Sequence, residues 1–254
     1  MEPLFSGVDM AAGYAQARPA VHPHVIARLR SHLQIKVPVK RALDVGCGSG
    51  LSTRELAVVA ERFYGIDPVG AMVQQAGMVA PSACFVVGIA EALPFANFSM
   101  NLITAAGSLN YADLTCFFPE ALRVMEPGGV LVVYDFSQGR SFRNDPSLNV
   151  WFDEFKLRYP SPPNSGRPLD PATLEAEGGE FRSVGSEQFQ VGLMMDQRRY
   201  VDYIMTETNV ANAIQCGAAS ESIQDWCGTS LDSVFAEEPK EVLFNGYIAY
   251  LQKP

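Results

Sequence analysis

The sequence contains few cysteines, and none of them is arranged as a metal or disulfide motif. The 254 residues include five Cys, an odd number, and no two of them form a C-x-x-C pair. This argues against a zinc site and against a disulfide framework, and it favours a reducing compartment. We therefore predict that the protein has no metal site.

Long apolar runs and an excess of basic residues are also absent. No stretch approaches about 18 consecutive apolar residues, and the N-terminus has no basic segment followed by an apolar one. We therefore expect a soluble, cytoplasmic protein with no membrane partner. Lys and Arg number 19 against 28 Asp and Glu, so the net charge of −9 repels phosphate backbones on average. A nucleic-acid partner is not expected.

The sequence does contain the apolar content of a well-packed α/β domain, at 48% hydrophobic residues. Between positions 41 and 136, short β-rich runs alternate with helical patterns, which predicts a mostly parallel, doubly wound sheet with helices on both faces. The predicted strands there are Ala42–Val45, Phe63–Ile66, Cys84–Val87, Leu102–Ala105 and Val130–Phe136; the predicted helices are Ser52–Ala60, Ala71–Ala80 and Phe117–Met125.

The remaining sequence extends this core at both ends into one composite domain. A helix with Pro23 just inside its start is predicted before the core, and His22 is placed at its N-cap. An irregular, aromatic-rich stretch with Trp151 follows the core and is interpreted as an inserted cap. Two later strands, Phe181–Leu193 and Val242–Leu251, are predicted to flank two helices, Gln197–Gln215 and Glu221–Phe235. The predicted segments are an N-terminal arm and helix at 1–40, the core at 41–136, the cap at 137–180, and the C-terminal strands and cap helices at 181–254.

A glycine-rich turn after the first core strand carries the functional argument. It reads Asp44-Val45-Gly46-Cys47-Gly48-Ser49-Gly50, and Asp67 follows at the end of the next strand, where a carboxylate can accept both hydroxyls of a ribose. The third glycine comes one residue too early for the G-x-G-x-x-G pattern of dinucleotide sites, and Asp44 before the turn suits a cationic ligand. S-adenosylmethionine combines a ribose, an adenine, an ammonium group and a sulfonium.

Five ordered segments show similarity to a known family. They are Tyr14–Pro19, Leu43–Gly50, Gly65–Pro68, Ala90–Phe95 and Arg123–Leu131. On these segments the sequence resembles the class I S-adenosylmethionine-dependent methyltransferases, specifically the type 11 small-molecule group and its subset similar to trans-aconitate methyltransferase. The resemblance implies a seven-stranded Rossmann-like sheet and a methyltransferase activity with S-adenosylmethionine as cofactor and S-adenosylhomocysteine as product.

The resemblance also implies a role for each matched position. Asp44 and the glycine turn would hold the methionine part, Asp67 would bind the ribose, and Arg18 in the arm would be a counter-ion for the cofactor carboxylate. Residues 89–91 would edge the adenine, although Ile89 stands where many relatives have an acidic residue. The implied cofactor-binding set is Tyr14, Arg18, Asp44, Gly46, Cys47, Gly48, Gly50, Asp67, Pro68, Met72, Ile89, Ala90, Glu91, Ala106 and Gly107.

The methyl acceptor is less well defined by the sequence. Arg140 and Arg143 are candidates for binding an anionic group, and the full set of candidate substrate contacts is Asn110, Tyr111, Arg140, Arg143 and His22. No residue stands out as a general base, which favours a carboxylate oxygen or another acceptor that is nucleophilic at neutral pH.

We therefore predict methyl transfer to a small organic molecule. The alternative is an S-adenosylmethionine-binding enzyme of secondary metabolism that catalyses a cyclisation or decarboxylation. A monomer and a homodimer are both compatible with the sequence.

Overall fold

The computed structural model describes residues 8–162 and 166–254, which form ten α-helices and one seven-stranded sheet. Residues 1–7 of the predicted arm and 163–165 of the predicted cap lie outside this description. The strands are β1 (Val39–Val45), β2 (Ala60–Asp67), β3 (Cys84–Val87), β4 (Met100–Ala106), β5 (Met125–Phe136), β6 (Arg182–Met195) and β7 (Lys240–Gln252). The helices are α1 (Val8–Ala17), α2 (His22–His32), α3 (Leu51–Glu55), α4 (Gly70–Val79), α5 (Leu114–Val124), α6 (Ser147–Arg158), α7 (Pro171–Glu177), α8 (Gln197–Ile204), α9 (Thr208–Gln215) and α10 (Ser220–Phe235).

The sheet has the strand order β3-β2-β1-β4-β5-β7-β6, which confirms the predicted doubly wound, mostly parallel architecture. The strands β1 to β5 are parallel, and β7 runs antiparallel between β5 and β6. After β3 the chain crosses back to place β4 on the other side of β1. In open α/β sheets, ligands bind at such a reversal, in the crevice outside the carboxyl ends of the strands.

Alternate residues of the sheet are buried in two cores, one on each face. Along β5, Val132 and Tyr134 belong to one core, whereas Leu131 and Val133 belong to the other. The first core includes buried residues of α2, α6, α8, α9 and α10, and the second includes those of α5 and α7. This two-sided burial explains why the central strands are nearly continuous apolar runs.

The aromatic segment predicted as an inserted cap forms part of the first core. Trp151 on α6 is buried, stacks on Trp226 at 5.7 Å between ring centroids, and donates its indole N–H to the Ser230 hydroxyl at 2.8 Å. Because α6 packs on α10 in this way, the cap is firmly attached to the C-terminal helices.

Two predicted helices were wrong in extent. The single helix expected over Gln197–Gln215 is divided into α8 and α9 at positions 205–207. There the Thr206 hydroxyl donates to the Tyr203 carbonyl, which is one of the acceptors at the end of α8. The helix expected over Ser52–Ala60 ends at Glu55 and continues as a 3₁₀ turn over Leu56–Val58.

His22 does not occupy the predicted N-cap, because Val21 is the N-cap and His22 is the first residue of α2. Its ring nitrogen Nδ1 lies 2.8 Å from the Tyr134 hydroxyl, and its ring packs edge-on against Phe136. Burial, together with the positive charges of Arg18 and Arg54, lowers the pKa of His22 to about 4. His22 therefore joins the N-terminal helix to β5 as a neutral ring.

This pairing makes stability depend on pH. Because the pKa of His22 is lower in the folded chain than the 6.5 of an unfolded one, its contribution is intact above pH 6.5 and is lost as the pH falls towards 4. Between pH 7.5 and 5.0, we expect the wild type to lose about 2 kcal/mol more unfolding free energy than His22→Gln, which does not titrate. Urea denaturation at both pH values measures the difference, and equal losses in the two proteins would contradict it.

Candidate functional site

The glycine turn lies at the reversal point between β1 and β4. Its three glycines all have positive φ angles: +69° at Gly46, +51° at Gly48 and +85° at Gly50. A Cβ at Gly46 would overlap the Ser108 side chain, and one at Gly50 would lie 2.9 Å from the Ala76 Cα. A Cβ at Gly48 would meet no atom within 4 Å. Gly46 and Gly50 are therefore packed against the protein, whereas Gly48 borders open space.

The Asp44 carboxylate, near the end of β1, connects this turn to the neighbouring elements through hydrogen bonds. It is fully buried and accepts hydrogen bonds from the hydroxyls of Ser52 and Thr53, both at 2.6 Å, and of Thr104 at 3.0 Å. Burial raises the pKa of Asp44, although the three hydroxyl bonds oppose the shift. Because Asp44 is enclosed, its observed task is to join the turn to α3 and β4. Its direct contact with a methionine group stays a prediction.

The Asp67 carboxylate contacts the turn at Gly48, the glycine that borders open space. One of its oxygens accepts from the Gly48 amide at 2.9 Å and the other from the Val69 amide at 2.9 Å. Burial raises the pKa of Asp67 against the opposing effect of these amides. A carboxylate oxygen can accept more than one hydrogen bond, so both oxygens can also accept hydroxyl groups.

The other predicted cofactor positions lie along the same edge of the sheet and beside it. Ala106 ends β4 and Gly107 follows it, Ile89 is 49% exposed after β3, and Met72 is buried on α4. The Glu91 carboxylate accepts the Asp113 amide at 2.8 Å and so is tied to the start of α5. Burial raises the pKa of the Cys47 thiol, which fits a packing role for this residue better than a reactive one.

The N-terminal arm is joined to the start of α9 through Arg18. Arg18 forms an ion pair with Glu207 at 2.8 Å and lies over the rings of Tyr14 and Tyr203, at 4.3 and 5.4 Å from their centroids. Glu207 also accepts from the Gln138 side chain at 2.7 Å. Sequence patterns do not indicate this partner, because Glu207 lies 189 residues from Arg18 in the chain.

Only some of the candidate substrate contacts come together. Asn110 donates its side-chain amide to Asp135 at 2.9 Å, and the neighbouring Tyr111 ring is 63% exposed. Arg143 instead forms an exposed ion pair with Glu241 at 2.7 Å, and Arg140 is exposed. Arg143 is therefore engaged by a carboxylate, and a contact of either arginine with substrate stays a prediction.

Asp135 is a candidate that the sequence reasoning missed. It occupies the end of β5, at the same edge of the sheet as Asp67, and a carboxylate at the end of a parallel strand was the available signal.

Within the described ranges, no group of three His, Cys, Asp or Glu side chains is arranged to hold a metal ion. Over the same ranges, no helix is both long and apolar enough to cross a membrane.

Comparisons with known proteins agree with this arrangement. Residues 43–133 match the family described as a methyltransferase domain. A demethylmenaquinone methyltransferase from Beutenbergia cavernae is 37% identical over 101 residues, which are 39% of this chain and 42% of that relative. The chain thus aligns with less than half the length of this curated relative.

Solved structures extend the similarity to most of the chain. A structure described as a type II methyltransferase from Anaeromyxobacter dehalogenans superposes with a TM-score of 0.65 at 22% identity, covering 89% of this chain and 94% of that one. A geranyl diphosphate methyltransferase in complex with S-adenosylmethionine has a TM-score of 0.51 at 14% identity, covering 91% of this chain and 85% of that one. The chain therefore has a Rossmann-like methyltransferase fold, and its residues 43–133 match the family described as a methyltransferase domain.

Proposed function

We propose that the protein is an S-adenosylmethionine-dependent methyltransferase that acts on a small organic molecule. The observation that carries the proposal is the pairing of the open Gly48 with the Asp67 carboxylate at the strand-order reversal. The match of residues 43–133 to a methyltransferase domain supports S-adenosylmethionine as the cofactor.

The residues present fit this cofactor. Asp67 would accept the two ribose hydroxyls, the turn around Gly48 would lie against the methionine part, and residues 89–91 would edge the adenine. Gly107 would flank the sulfonium, which supplies an electrophilic methyl group. Within the described residues, the buried Nε of Arg18 has no hydrogen-bond partner, so we assign it to the cofactor carboxylate while Glu207 keeps the rest of the guanidinium in place.

The task of the chain is mainly alignment. Methyl transfer from a sulfonium disperses a charge that is already present, so the protein need not stabilise a large new one. Holding donor and acceptor in line contributes up to about 7–11 kcal/mol in favourable cases. The Arg18–Glu207 pair would serve this end by fixing the arm over the crevice and excluding water.

The acceptor is proposed only as a class. The aligned part of the demethylmenaquinone methyltransferase covers 39% of this chain, so its quinone substrate does not transfer to the present protein. The carboxylate acceptor and the kinship with trans-aconitate methyltransferase stay predictions from the sequence, as do the cytoplasmic location and the oligomeric state. Against an anionic acceptor, Arg143 is engaged by Glu241.

The first test concerns the ribose contact. We expect Asp67→Asn to weaken S-adenosylhomocysteine binding by about 10–100-fold, because a hydrogen bond to a charged group contributes about 1.5–3 kcal/mol. Isothermal titration calorimetry measures the change, and Asp113→Asn, at an exposed helix cap, is the matched control with unchanged affinity. Wild-type protein that binds neither S-adenosylmethionine nor S-adenosylhomocysteine would refute the proposed function. Binding with a product formed but no release of S-adenosylhomocysteine would favour the non-methylating alternative.

A second test separates backbone strain from ligand contact. Gly48 and Gly128 both have positive φ and open space where a Cβ would lie, but Gly128 is near the start of β5, at the opposite edge of the sheet. We expect Gly48→Ala and Gly128→Ala to lose similar stability, about 1–2 kcal/mol in chemical denaturation. Only Gly48→Ala should lose S-adenosylhomocysteine affinity, by at least tenfold. Equal affinity in the two variants would show that the ligand does not approach Gly48.

A further inference from the structure

Asp135 is the second-to-last residue of β5 and lies beside the C-terminal end of β4. Its carboxylate oxygen Oδ1 lies 2.9 Å from the position that a Cβ would take at Gly107, so the carboxylate covers that backbone. Asn110 donates to Oδ2 at 2.9 Å, and the Phe136 amide donates to Oδ1 at 2.8 Å. These two bonds fix the orientation of the carboxylate and leave further lone pairs available.

Asp135 has no cationic partner among the described residues. Some carboxylates in this chain are ion-paired, such as Glu207 with Arg18 and Asp145 with Lys240, whereas Asp135 shares with Asp44 and Asp67 a set of neutral donors only. The partners of Asp135 are neutral amides, and burial raises its pKa against their influence. An ionised carboxylate in this position lowers stability at neutral pH. A neutral Asn at this position would avoid that cost and could still accept from the Phe136 amide through its single oxygen, so a purely structural role does not require an acid here.

Two tyrosines, Tyr247 and Tyr111, lie close enough to this carboxylate to be affected by its charge. Tyr247 is its cross-strand neighbour on β7, and the Tyr247 hydroxyl is buried with no partner among the described residues. Burial and the negative charges of Asp135 and Asp170 raise the pKa of Tyr247. On the other side, burial and the proximity of Asp135, Tyr14 and Glu207 raise the pKa of Tyr111, while Arg18 opposes the shift.

The cap contacts the residues next to this carboxylate. The Arg167 amide donates to the Asn110 carbonyl at 2.8 Å, and Gly166 packs against Tyr111 and Asn110 with a φ of +88°. The Asp135 carboxylate therefore lies between Gly107 and Tyr247, and the cap contacts its hydrogen-bond partner Asn110. The proposed function places Gly107 beside the sulfonium.

We propose that Asp135 is the general base of the reaction and that the acceptor carries an O–H or N–H proton at neutral pH. The inference rests on the proposed function and specifies its substrate class as an alcohol, a phenol or an amine instead of a carboxylate. As the bond from the acceptor O or N to the methyl carbon forms, the sulfur–methyl bond breaks and its electron pair stays on sulfur. The acceptor proton passes to an Asp135 oxygen and then to water.

The first readout needs no turnover. Carbon-13 NMR of aspartate-labelled protein follows the Asp135 carboxyl, which is assigned by its disappearance in Asp135→Asn. We expect S-adenosylmethionine to lower the pKa of Asp135 by at least half a unit relative to S-adenosylhomocysteine, because only the former carries a positive sulfur. The exposed Asp202 on α8 serves as the reference signal and should not shift. The same pKa for Asp135 in both complexes would overturn the inference.

The second readout is turnover, measured as S-adenosylhomocysteine release with three probes: catechol, ethanolamine and benzoate. We expect activity with catechol or ethanolamine, and at least 100-fold lower kcat in Asp135→Asn, with S-adenosylhomocysteine affinity within threefold of wild type. The rise of kcat/KM with pH should disappear in the variant, and Asp202→Asn should behave as wild type. Activity with benzoate alone, or Asp135→Asn with wild-type turnover, would overturn the base assignment.

If the wild type accepts none of the three probes, the pKa of Asp135 measured by NMR in the two complexes decides. Failure of both ligands to bind would instead refute the proposed function.

Discussion

The buried carboxylate of Asp44 is the constraint on which the candidate site depends. By accepting the hydroxyls of Ser52, Thr53 and Thr104, it ties the glycine turn to the following helix and to the neighbouring strand. The turn then holds the Gly48 amide against Asp67. A buried acid whose pKa is raised is unfavourable at neutral pH unless donors compensate for its lost hydration, and here hydroxyls from two elements supply that compensation.

Around this fixed centre, distant parts of the chain are brought together by pairwise polar contacts. The arm is held by Arg18 to Glu207, the first long helix by His22 to Tyr134, and the cap by its backbone contact to Asn110. The distribution of charged residues in this arrangement says more about the candidate site than the net charge of −9 does. Asp67 and Asp135 lie at the carboxyl-end edge of the sheet, and Arg18 is already paired with Glu207, so the candidate site is more acidic than its predicted arginines suggested.

The sequence allowed the fold and the cofactor edge to be predicted because their signals are local. Strand runs such as Cys84–Val87, the glycine turn and Asp67 are each readable within a few residues or at a fixed spacing. The break between α8 and α9, the partner of Arg18 and the role of His22 depend on contacts across the chain, which periodicity does not report. Asp135 was readable as an acid at a strand end, but its burial and its neutral partners appear only in three dimensions.

The central claim is that Gly48 and Asp67 form the floor of an S-adenosylmethionine site. A crystal structure of the protein with S-adenosylhomocysteine tests it most directly, through the distances from the ribose hydroxyl oxygens to the Asp67 carboxylate. We expect both distances to be within about 3.0 Å, with the amino-acid part of the ligand against the glycine turn. A nucleoside bound elsewhere, or a ribose that does not touch Asp67, would contradict it.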